Sequence, residues 1–580
     1  MMTRPRFKHG PPSLWKGIRY MIIDGYVDEP ALFGVPPFIA PQVRSMAGGM
    51  VSGGAFPEEI GYATIDQLRA GGGGVLSDIG SLELLVILAG CNVPGKYLRG
   101  EPISKREVRA LSETGLPVIL VGPAAERFSG LDVERTKGDP GVVSCELVSS
   151  GNIKDRQRTL EEWNTHLKEG AFIVKRHPDH PSPLICEIET TRGCPRYISG
   201  GCSFCSEPWK GPMVVRDPAD IVEEVARLAS YGVENIRVGG QSDLVSYGSS
   251  DIGKSDVPEP DPEMLHELMT GVKEALHGGK GVRKAVSKGR RSGIDTGMVH
   301  TDNANPAVIS AYPEASRKAL QEIVKGSTSG TVLALGLESS DPEVKEENNL
   351  NSGPEEVLEA VRIMNETGRD IGENGMPRLL PGLNFLGGLP GQSEESFDMD
   401  IELLGRILDE GLMLRRINIR GALFPDRDGT LKAVHLKGAL EKAFRRFKEK
   451  VRGDFDPAFL RRMLPVGSIL RGVYLEARSG GTYFGRQIGS YPLLVGVPHT
   501  VVLGEHIDVC VTDHSSRSIT GFGTPFDINK ASFSDLQALP GIGKKRAAAL
   551  FRKMPLKRED IEEIEGAPDW LARNISFRES

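Results

Sequence analysis

Three cysteines close together in the sequence constrain this chain more than any other feature. Cys194, Cys202 and Cys205 follow the apolar run Leu184–Ile188, whose pattern predicts a buried strand. The last two form a C-x-x-C pair, so that a single turn can direct two thiolates towards one metal centre. Three thiolates bind three irons of a [4Fe–4S] cube and leave the fourth iron open to another ligand. A cluster for electron transfer alone normally has a fourth cysteine, so the spacing predicts a cluster that takes part in chemistry.

A zinc site is the alternative use of these three thiols. Structural zinc sites have four ligands, most often cysteine and histidine. The nearest histidine is His180, which precedes even the apolar run, so it offers no fourth ligand by spacing. The sequence therefore favours the iron–sulfur cluster.

The composition is that of an ordinary globular protein. The 580 residues are 39% hydrophobic and 26% charged, and this length allows about three to five domains. Seven cysteines in such a chain do not make a disulfide framework, which indicates a reducing environment. No apolar stretch reaches membrane-spanning length and the first residues do not resemble a signal peptide, so we expect a cytoplasmic protein without a membrane partner. The net charge of −7 predicts no partner, so any affinity for nucleic acid must come from local patches.

Residues 1–165 are predicted to form a Rossmann-like α/β domain. Three strand-like apolar runs occur there, and a helical pattern over Lys105–Thr114 connects the last two into a βαβ unit. The predicted strands are Tyr20–Ile23, Leu82–Leu88 and Pro117–Val121.

Residues 180–430 alternate strand and helix patterns, which predicts a partial TIM-type (β/α)6 barrel. Barrels of this kind bind their ligands where loops follow the carboxyl ends of the strands. The cysteine loop follows the first of these strands, so it lies where the fold places a site. The predicted strands are Leu184–Ile188, Asn235–Val238, Gly297–His300, Val332–Gly336, Gly382–Leu386 and Arg416–Arg420.

The cysteine loop and the residues after the predicted strands resemble the radical S-adenosylmethionine (SAM) superfamily. Phe204, directly before the last cysteine, fits the family pattern, whereas the seven residues between Cys194 and Cys202 exceed the three of most members. The resemblance implies that Cys194, Cys202 and Cys205 hold a [4Fe–4S] cluster whose open iron chelates SAM. It also implies reductive cleavage of SAM to methionine and a 5′-deoxyadenosyl radical.

Several turns after the strands correspond in order to SAM-binding turns of the superfamily. A Gly-Gly-Gln turn follows the second strand and a Gly-Leu-Glu-Ser-Ser segment ends the fourth, while the sixth is expected to pack on adenine. Glutamine replaces the family's glutamate in the first of these turns and again at Gln392. Two further polar runs, His300–Asn303 and Glu346–Asn349, are predicted to face the substrate. The residues to which the resemblance assigns SAM contacts are Phe204, Gly239, Gly240, Gln241, Glu338, Ser339, Asn418 and Ile419.

The resemblance leaves open what the N-terminal domain holds. Some such domains bind cobalamin through a D-x-H-x-x-G motif, but this motif is absent and no histidine occurs between His9 and His166. Histidine ligation of cobalamin is therefore not expected. In the methylthiotransferase branch this domain carries a second cluster on three cysteines. Cys91, Cys145 and Cys186 could supply that number, with buried free cysteines as the alternative.

The last third of the chain is predicted to contain three smaller units. Residues 431–465 have amphipathic helical spacing and would form linker helices. Residues 466–524 contain five short strand patterns, which predict an OB-type barrel. This segment resembles the TRAM domain, an RNA-binding barrel attached to tRNA-modifying enzymes. Residues 525–580 resemble a helix–hairpin–helix motif.

The hairpin of this motif is predicted to contact nucleic acid. Its Gly-Ile-Gly turn exposes backbone N–H groups at a helix N-terminus, which favours a phosphate oxygen, and basic side chains lie beside it. Such contacts do not depend on base sequence. A hairpin used only for protein packing is the alternative. The residues expected to contact nucleic acid are Gly541, Gly543, Lys544, Lys545 and Arg546.

These features together predict a radical SAM enzyme that modifies tRNA or another nucleic acid. The expected cofactors are a [4Fe–4S] cluster and SAM. The expected partners are tRNA or DNA, bound by the C-terminal units, and an electron donor such as ferredoxin or flavodoxin. One alternative is a radical SAM enzyme that acts on a small molecule or a protein. The other is a non-enzymatic iron–sulfur protein that binds nucleic acid.

Overall fold

The structure is a computed structural model that describes residues 17–27, 35–71, 82–89, 100–122, 125–128, 130–278, 297–425 and 431–577. Within these ranges the protein is a mixed α/β structure with three parallel sheets and a closed β-barrel as its main elements. Among the described helices, none combines the length and the apolar character that a membrane crossing requires.

A five-stranded parallel sheet occupies the N-terminal region, in the order β3-β1-β4-β5-β6. Four of its strands are buried along their whole length, as expected for a parallel sheet between helices. The sequence patterns predicted β1, β4 and β5 but missed β3, whose Ile-Gly-Tyr-Ala-Thr sequence neither alternates nor forms an apolar run. The strands of this region are β1 (Tyr20–Asp24), β2 (Phe38–Ile39), β3 (Ile60–Thr64), β4 (Leu84–Leu88), β5 (Val118–Val121) and β6 (Glu134–Arg135).

Five helices accompany this sheet, and the first of them makes unusually close contacts. Side chains at Gly48 or Gly49 would clash with the backbone oxygens of His166 and Gly141 on neighbouring helices, so these glycines permit the close approach. The helices are α1 (Pro41–Ser52), α2 (Ile65–Gly71), α3 (Lys105–Ser112), α4 (Pro140–Ser150) and α5 (Leu160–Glu169).

Six parallel strands form the centre of the molecule, each within three residues of its predicted bounds. They fall into two sheets, β11-β10-β7-β2 and β12-β13-β14, and a parallel bridge from Ala304 to Leu335 connects the sheets. The short strand β2 from the N-terminal region thus extends the central sheet. The strands are β7 (Ile185–Glu189), β8 (Thr191–Arg192), β9 (Val214–Val215), β10 (Asn235–Gly239), β11 (Met298–Thr301), β12 (Thr331–Glu338), β13 (Leu379–Gly387) and β14 (Arg416–Gly421).

The helices between these strands bury one apolar face each against the sheets. In α6, for example, Ile221, Val225 and Leu228 recur at helical spacing and are fully buried. The helices are α6 (Pro218–Ser230), α7 (Pro262–Gly278), α8 (Pro306–Ala311), α9 (Pro313–Gly326), α10 (Pro342–Glu347), α11 (Pro354–Gly368) and α12 (Glu394–Asp409).

Two linker helices close the open side of the central strands. Phe444 and Phe447 of the first contact Phe397 of α12, and Phe447 also contacts Phe385 of β13. The intervening Val451–Phe455 turn is a π-helix. A small antiparallel pair precedes them. These elements are β15 (Leu423–Pro425), β16 (Leu431–Ala433), α13 (Gly438–Lys450) and α14 (Asp456–Met463).

A closed five-stranded barrel follows, in the order β17-β18-β19-β21-β20 with β19 and β21 parallel. The sequence patterns predicted five strands here, and the barrel is present; its assignment as an OB or TRAM domain stays a prediction. The last helices lie beyond it. The elements are β17 (Ile469–Ser479), β18 (Thr482–Arg486), β19 (Leu494–Val497), β20 (His506–His514), β21 (Ser518–Thr524), β22 (Phe526–Asp527), α15 (Phe533–Gln537), α16 (Lys544–Lys553), α17 (Glu559–Glu562) and β23 (Ile575–Ser576).

The loop between β18 and β19 packs against the central strands. Ile488 packs against Phe38, Ile185 and Met298, which lie at the starts of β2, β7 and β11. The hydroxyl of Tyr491 donates a hydrogen bond to Asp302 Oδ1 at 2.7 Å. The barrel is therefore part of the central fold rather than a separate appendage.

Candidate active site

The cysteine loop connects β8 and β9, whose two-residue antiparallel ladder closes it at its base. Between the first two cysteines the chain forms a short 3-10 helix, Pro195–Ile198, and then a turn in which Gly200 and Gly201 have φ of 85° and 66°. Glycine adopts these angles without strain. The long spacing between the first two cysteines is thus used for a helical turn and a glycine turn.

All three thiols are free and half-buried. Burial raises the pKa of each thiol, to about 11 for Cys202 and about 12 for Cys205, and neighbouring thiolates add to the rise for these two. The three thiols therefore lie close enough to affect one another's ionisation. Metal ions bind cysteine as thiolate, so metal binding at this loop would release the protons.

The three thiols do not gather around a single point in the described structure. Within the described ranges, no three His, Cys, Asp or Glu side chains converge closely enough to hold a single ion. A tetrahedral zinc site would need four such groups around one point. In a [4Fe–4S] cube each cysteine binds its own iron, which suits three neighbouring but non-convergent thiols.

Arg196 is a buried cation inside the cysteine loop, only 6% exposed. Its Nη1 donates to Cys202 Sγ at 3.2 Å and to the Asn349 carbonyl oxygen at 2.8 Å, and its Nε lies 3.4 Å from Asp256 Oδ2. A positive donor at a sulfur favours the thiolate. Hydrogen bonds to sulfur also tune the reduction potential of a bound cluster.

The polar segment after α10 holds the cysteine loop in place. Asn348 accepts hydrogen bonds from both the backbone and the side chain of Ser203, and Asn349 donates to the carbonyl oxygens of Ser199 and Gly201. Asn349 has φ of 48°, a conformation that asparagine tolerates better than most residues. The sequence analysis predicted that this segment faces the substrate, whereas its two asparagines support the cysteines.

We expect Asn348→Ala to loosen the cysteine loop. The fully buried Asn348 amide bonds to Ser203 Oγ at 2.8 Å and to the carbonyl oxygens of Val344 and Pro390 at 2.9 Å. Leaving such buried groups unpaired costs about 1–3 kcal/mol each. Iron release to a chelator from the reconstituted variant should be several times faster than from the wild type.

Asn365→Ala is the matched control for this variant. Asn365 is also buried, and its amide likewise makes three hydrogen bonds, to Val361 and Met413, far from the cysteines in the fold. Its loss should lower the free energy of unfolding by a similar amount without changing iron release. Equal rates of iron release from both variants would contradict a specific role for Asn348.

Phe204 fixes the last turn of the loop. It packs with Val344, Leu350, Leu389 and Ala422 in a small apolar cluster at the carboxyl ends of the central strands. The cysteines therefore sit at the end of the strands that the sequence analysis predicted.

Glu338, the last residue of β12, faces the same region. It is half-buried with φ of 68°, which non-glycine residues rarely adopt away from functional sites. Burial raises its pKa to about 8, although the positive charge of Arg420 opposes the rise. Glu338 also influences the pKa of Cys202, which places its carboxyl group near the cysteine loop. The adjacent Ser339 is fully buried, and its hydroxyl oxygen accepts a hydrogen bond from the Asp341 backbone.

The Gly-Gly-Gln turn after β10 is present, with Gly240 at φ of 69°. The buried side chain of Gln241 donates to the carbonyl oxygens of Val238 and Asp302 and accepts from Thr190. A carboxylate could not donate these two bonds, which explains glutamine here. Because this side chain is occupied, a contact to SAM from the turn would come from backbone carbonyl groups, including those of Gly239 and Gly240.

The two residues predicted on β14 lie on opposite sides of the strand. Asn418 donates to Asn384 Oδ1 at 3.2 Å and accepts from Arg420 Nε at 3.3 Å, so all three polar side chains share one face. Successive strand residues alternate between faces. Ile419 accordingly packs into the main apolar core, with Phe385 as its register partner on β13. The polar face was not predicted, because alternation alone does not reveal which face lines a site.

His300 lies in a structural position. Its ring is 5% exposed, and Nδ1 accepts a hydrogen bond from the Ser490 backbone at 3.0 Å. Burial lowers its pKa to about 3, so the ring is neutral. This environment is that of a structural histidine, whereas the sequence analysis predicted that the run beginning at His300 faces the substrate.

The cysteines considered for a second cluster are not gathered in the described structure. Cys186 is buried in β7, where burial raises its pKa to about 12, and Cys145 is half-buried on α4. Cys91 lies outside the described residues. Among the described residues, neither Cys145 nor Cys186 belongs to a group of three side chains that could hold a metal ion.

The residues predicted to contact nucleic acid lie together on the surface. Gly541 has φ of 74° in the turn between α15 and α16, and Gly543 is the N-cap of α16. Lys544, Lys545 and Arg546 are exposed, and Arg546 donates to the Gly541 carbonyl oxygen at 2.8 Å. Ile542 between the glycines is buried in the core of this unit. The turn joins two helices; the assignment of the helix–hairpin–helix motif and its use in binding stay predictions.

Residues 188–404 match the Radical SAM superfamily. The ribosomal protein uS12 methylthiotransferase RimO of Acidothermus cellulolyticus is 27% identical over 278 residues, 48% of this chain and 47% of that protein. The tRNA-2-methylthio-N(6)-dimethylallyladenosine synthase of Pelobacter propionicus is 26% identical over 244 residues, 42% of this chain and 44% of the other. Among solved structures, the radical SAM methyltransferase TsrM from Kitasatospora setae aligns with 14% identity and a TM-score of 0.45, covering 69% of this chain and 72% of that one.

A more extensive match is the protein MJ0274 of Methanocaldococcus jannaschii. The two chains are 40% identical over 527 residues, 87% of this chain and 93% of the other. This chain therefore belongs to the MJ0274 family within the radical SAM superfamily, whose cofactors are a [4Fe–4S] cluster and SAM.

Proposed function

We propose that this protein is a radical SAM enzyme that binds its cluster through Cys194, Cys202 and Cys205 and modifies structured RNA, with tRNA as the substrate. The observation that supports the radical SAM assignment is the cysteine loop itself. It presents three neighbouring, non-convergent thiols at the carboxyl ends of the central strands, supported by Arg196 and Asn348. Cys194, Cys202 and Cys205 would hold the cluster, which would supply the electron for reductive cleavage of SAM and so the radical chemistry on the substrate.

The residues of the chain supply position and shielding. Arg196 orients Cys202 and balances negative charge at its sulfur. Phe204 and its apolar neighbours exclude water from one side of the loop. The Glu338 carboxyl group is placed to accept hydrogen bonds from the amino group or ribose of SAM. Asn384, Asn418 and Arg420 form the polar wall beside it and are candidates for substrate contact.

The RNA substrate rests on the C-terminal units. A closed five-stranded barrel with the observed strand order is a common oligonucleotide-binding scaffold, and the exposed basic turn at Gly541–Arg546 suits a phosphate group. One partial relative is a tRNA-modifying synthase, and another acts on a ribosomal protein by its name. The barrel and basic turn make RNA the better-supported of these two substrate classes.

The test uses the full chain, reconstituted with iron and sulfide under anaerobic conditions and reduced with dithionite. Addition of SAM should give 5′-deoxyadenosine, and addition of unmodified tRNA should give a new nucleoside mass after digestion. The full chain is required because residues of the β18–β19 loop contact Asp302 and His300 in the core. If SAM is cleaved but no modified nucleoside forms, the assignment as a radical SAM enzyme stands and the proposal of an RNA substrate is wrong.

We expect Glu338→Gln to weaken SAM binding about ten- to hundredfold, since hydrogen bonds to a charged group contribute about 1.5–3 kcal/mol. Glutamine keeps the shape of the side chain but cannot ionise. The Glu338 carboxyl group, whose pKa burial raises to about 8, is mostly protonated at neutral pH in the free protein and would ionise against the cationic amino group of SAM. The measurement is the Kd for SAM of the reconstituted protein, with cluster content determined in parallel. Glu346→Gln on the exposed face of α10 is the control and should bind SAM normally. Unchanged affinity in Glu338→Gln would exclude Glu338 from the SAM site.

A further inference from the structure

A crevice lies where the start of β14, the linker helix α14 and the β20–β21 loop meet. Its floor is apolar and its walls carry three arginines and one carboxylate. Arg415 and Arg416 come from the start of β14, and Arg517 comes from the β20–β21 loop. The apolar floor comprises Leu414, Ile417, Phe459, Leu460, Met463 and Leu493.

The single carboxylate of this crevice is already neutralised. Asp456 Oδ2 lies 2.6 Å from Arg452 Nη1, which also donates to the Ile417 carbonyl oxygen. Arg517 Nε is 3.8 Å from the same oxygen, at the outer limit of an ion pair. Because Arg452 already pairs with Asp456, the three arginines of the crevice, Arg415, Arg416 and Arg517, give it an excess of positive charge.

Arg415 is poorly compensated within the protein. Among the described residues, its side chain makes one hydrogen bond, from Nη2 to the Tyr491 carbonyl oxygen at 2.8 Å, and no ion pair. A guanidinium group has five N–H donors. Burial and the nearby charges of Arg416 and Arg517 lower the pKa of Arg415 to about 10. A half-buried cation with so few partners favours an anionic ligand.

Arg517 is the accessible member of the set. Its side chain is 59% exposed, and it lies in the loop between the fourth and fifth strands of the barrel. In five-stranded barrels of the OB type, this loop is one of those that bind oligonucleotides. The start of β14 thus supplies Arg415 and Arg416 to the crevice, and the barrel loop supplies Arg517.

We propose that Arg415 and Arg517 form a phosphate-binding site for the backbone of the RNA substrate. This inference rests on the proposed function and adds to it a contact remote from the chemistry. The cysteine loop lies at the carboxyl end of β14, near Ala422, whereas Arg415 precedes its amino end. The six residues of β14 span about 20 Å. Only an extended substrate can contact both places, so the site selects a macromolecule over a small metabolite.

The experiment measures binding of a tRNA transcript to the full chain over a range of salt concentrations. Each phosphate contact contributes about 0.7 to 0.9 to the slope of log K against log salt. Arg517→Gln should lower the slope by about that amount and weaken binding several-fold, and Arg415→Gln should act in the same direction. The exposed position of Arg517 makes its variant safe for folding. Arg227→Gln, on the exposed face of α6, is the control and should leave the slope unchanged.

Three outcomes would overturn the site. The first is an equal slope for Arg517→Gln and Arg227→Gln. The second is a combined result: inorganic phosphate raises the Tm of the wild type but not of Arg517→Gln, and the two proteins bind RNA equally well. This result would identify a free anion as the ligand. The third is no RNA binding by the wild type. Formation of 5′-deoxyadenosine should be normal in Arg517→Gln, so loss of this site and failure of the SAM chemistry give different results.

Discussion

Replacement of Cys202 by alanine should abolish the formation of 5′-deoxyadenosine, with a loss of at least about 100-fold. Changes to groups that only support metal ligands typically cost ten- to hundredfold, and Cys202 is proposed as a ligand itself. Its sulfur is also the one that accepts the Arg196 hydrogen bond at 3.2 Å. The variant therefore loses both a thiolate and the partner of a buried cation. The measurement is 5′-deoxyadenosine formed from SAM by the reduced, reconstituted protein, with iron content determined on the same sample.

Cys145→Ala is the control that removes a half-buried thiol elsewhere, on α4. It should retain the iron content and the SAM cleavage of the wild type. This control also addresses a second cluster in the N-terminal region, because loss of iron from Cys145→Ala would indicate ligands there. Substantial SAM cleavage by Cys202→Ala would contradict the assignment of the cysteine loop.

The sequence was sufficient for the parts of this fold that have a local pattern. The six central strands alternate with helical patterns along the chain, and the glycine turn at Gly240 follows directly from the residues that form it. Four of the five strand patterns predicted for the small barrel correspond to β17, β19, β20 and β21, whereas the pattern at Thr500–Leu503 is not a strand and β18 was missed. The two-residue β2 also escaped prediction, because it is formed by pairing with a distant segment and has no pattern of its own.

The candidate site was predicted only where one segment carries the chemistry. The cysteines are close in sequence, so their spacing is informative. The support for them comes from Asn348 and Asn349, which are distant along the chain, and nothing in their local sequence distinguishes a supporting asparagine from one that faces a substrate. Likewise, a pattern of strands could not show that Tyr491 of the barrel would contact Asp302 of the core.

Buried charges were the least predictable feature, since arginine and glutamate are usually exposed. Three charged side chains are fully buried: Arg44 of α1, Arg216 directly after β9, and Glu224 of α6. Glu224 accepts one hydrogen bond from each arginine at 2.7 Å, and Arg44 also donates to the Glu187 carbonyl oxygen in β7. This network attaches the N-terminal region to the central sheet beneath the cysteine loop.

We expect Glu224→Gln to reduce the free energy of unfolding by about 3–5 kcal/mol, because it leaves two buried arginines without their carboxylate. Glu223→Gln is the matched control. Glu223 is the neighbouring residue, 67% exposed, and its ion pair with Lys168 is of the surface kind that contributes about 0–1 kcal/mol. Denaturant unfolding followed by tryptophan fluorescence is a suitable measurement, since the Trp163 ring lies 5.6 Å from the Arg216 guanidinium group. Equal stability of the two variants would show that the buried network is replaceable.

The same pair of variants should differ in their dependence on pH. Burial alone would raise the pKa of Glu224, but Arg216 and Arg44 outweigh it and lower the pKa below its usual value. A carboxyl group whose pKa is lower in the folded state stabilises the protein above its unfolded pKa, about 4.3, and loses this contribution as the pH falls through the folded value. The stability difference between wild type and Glu224→Gln should therefore be constant near neutral pH and shrink below about pH 4.3. A difference that persists undiminished in acid would mean that shape rather than charge makes Glu224 important.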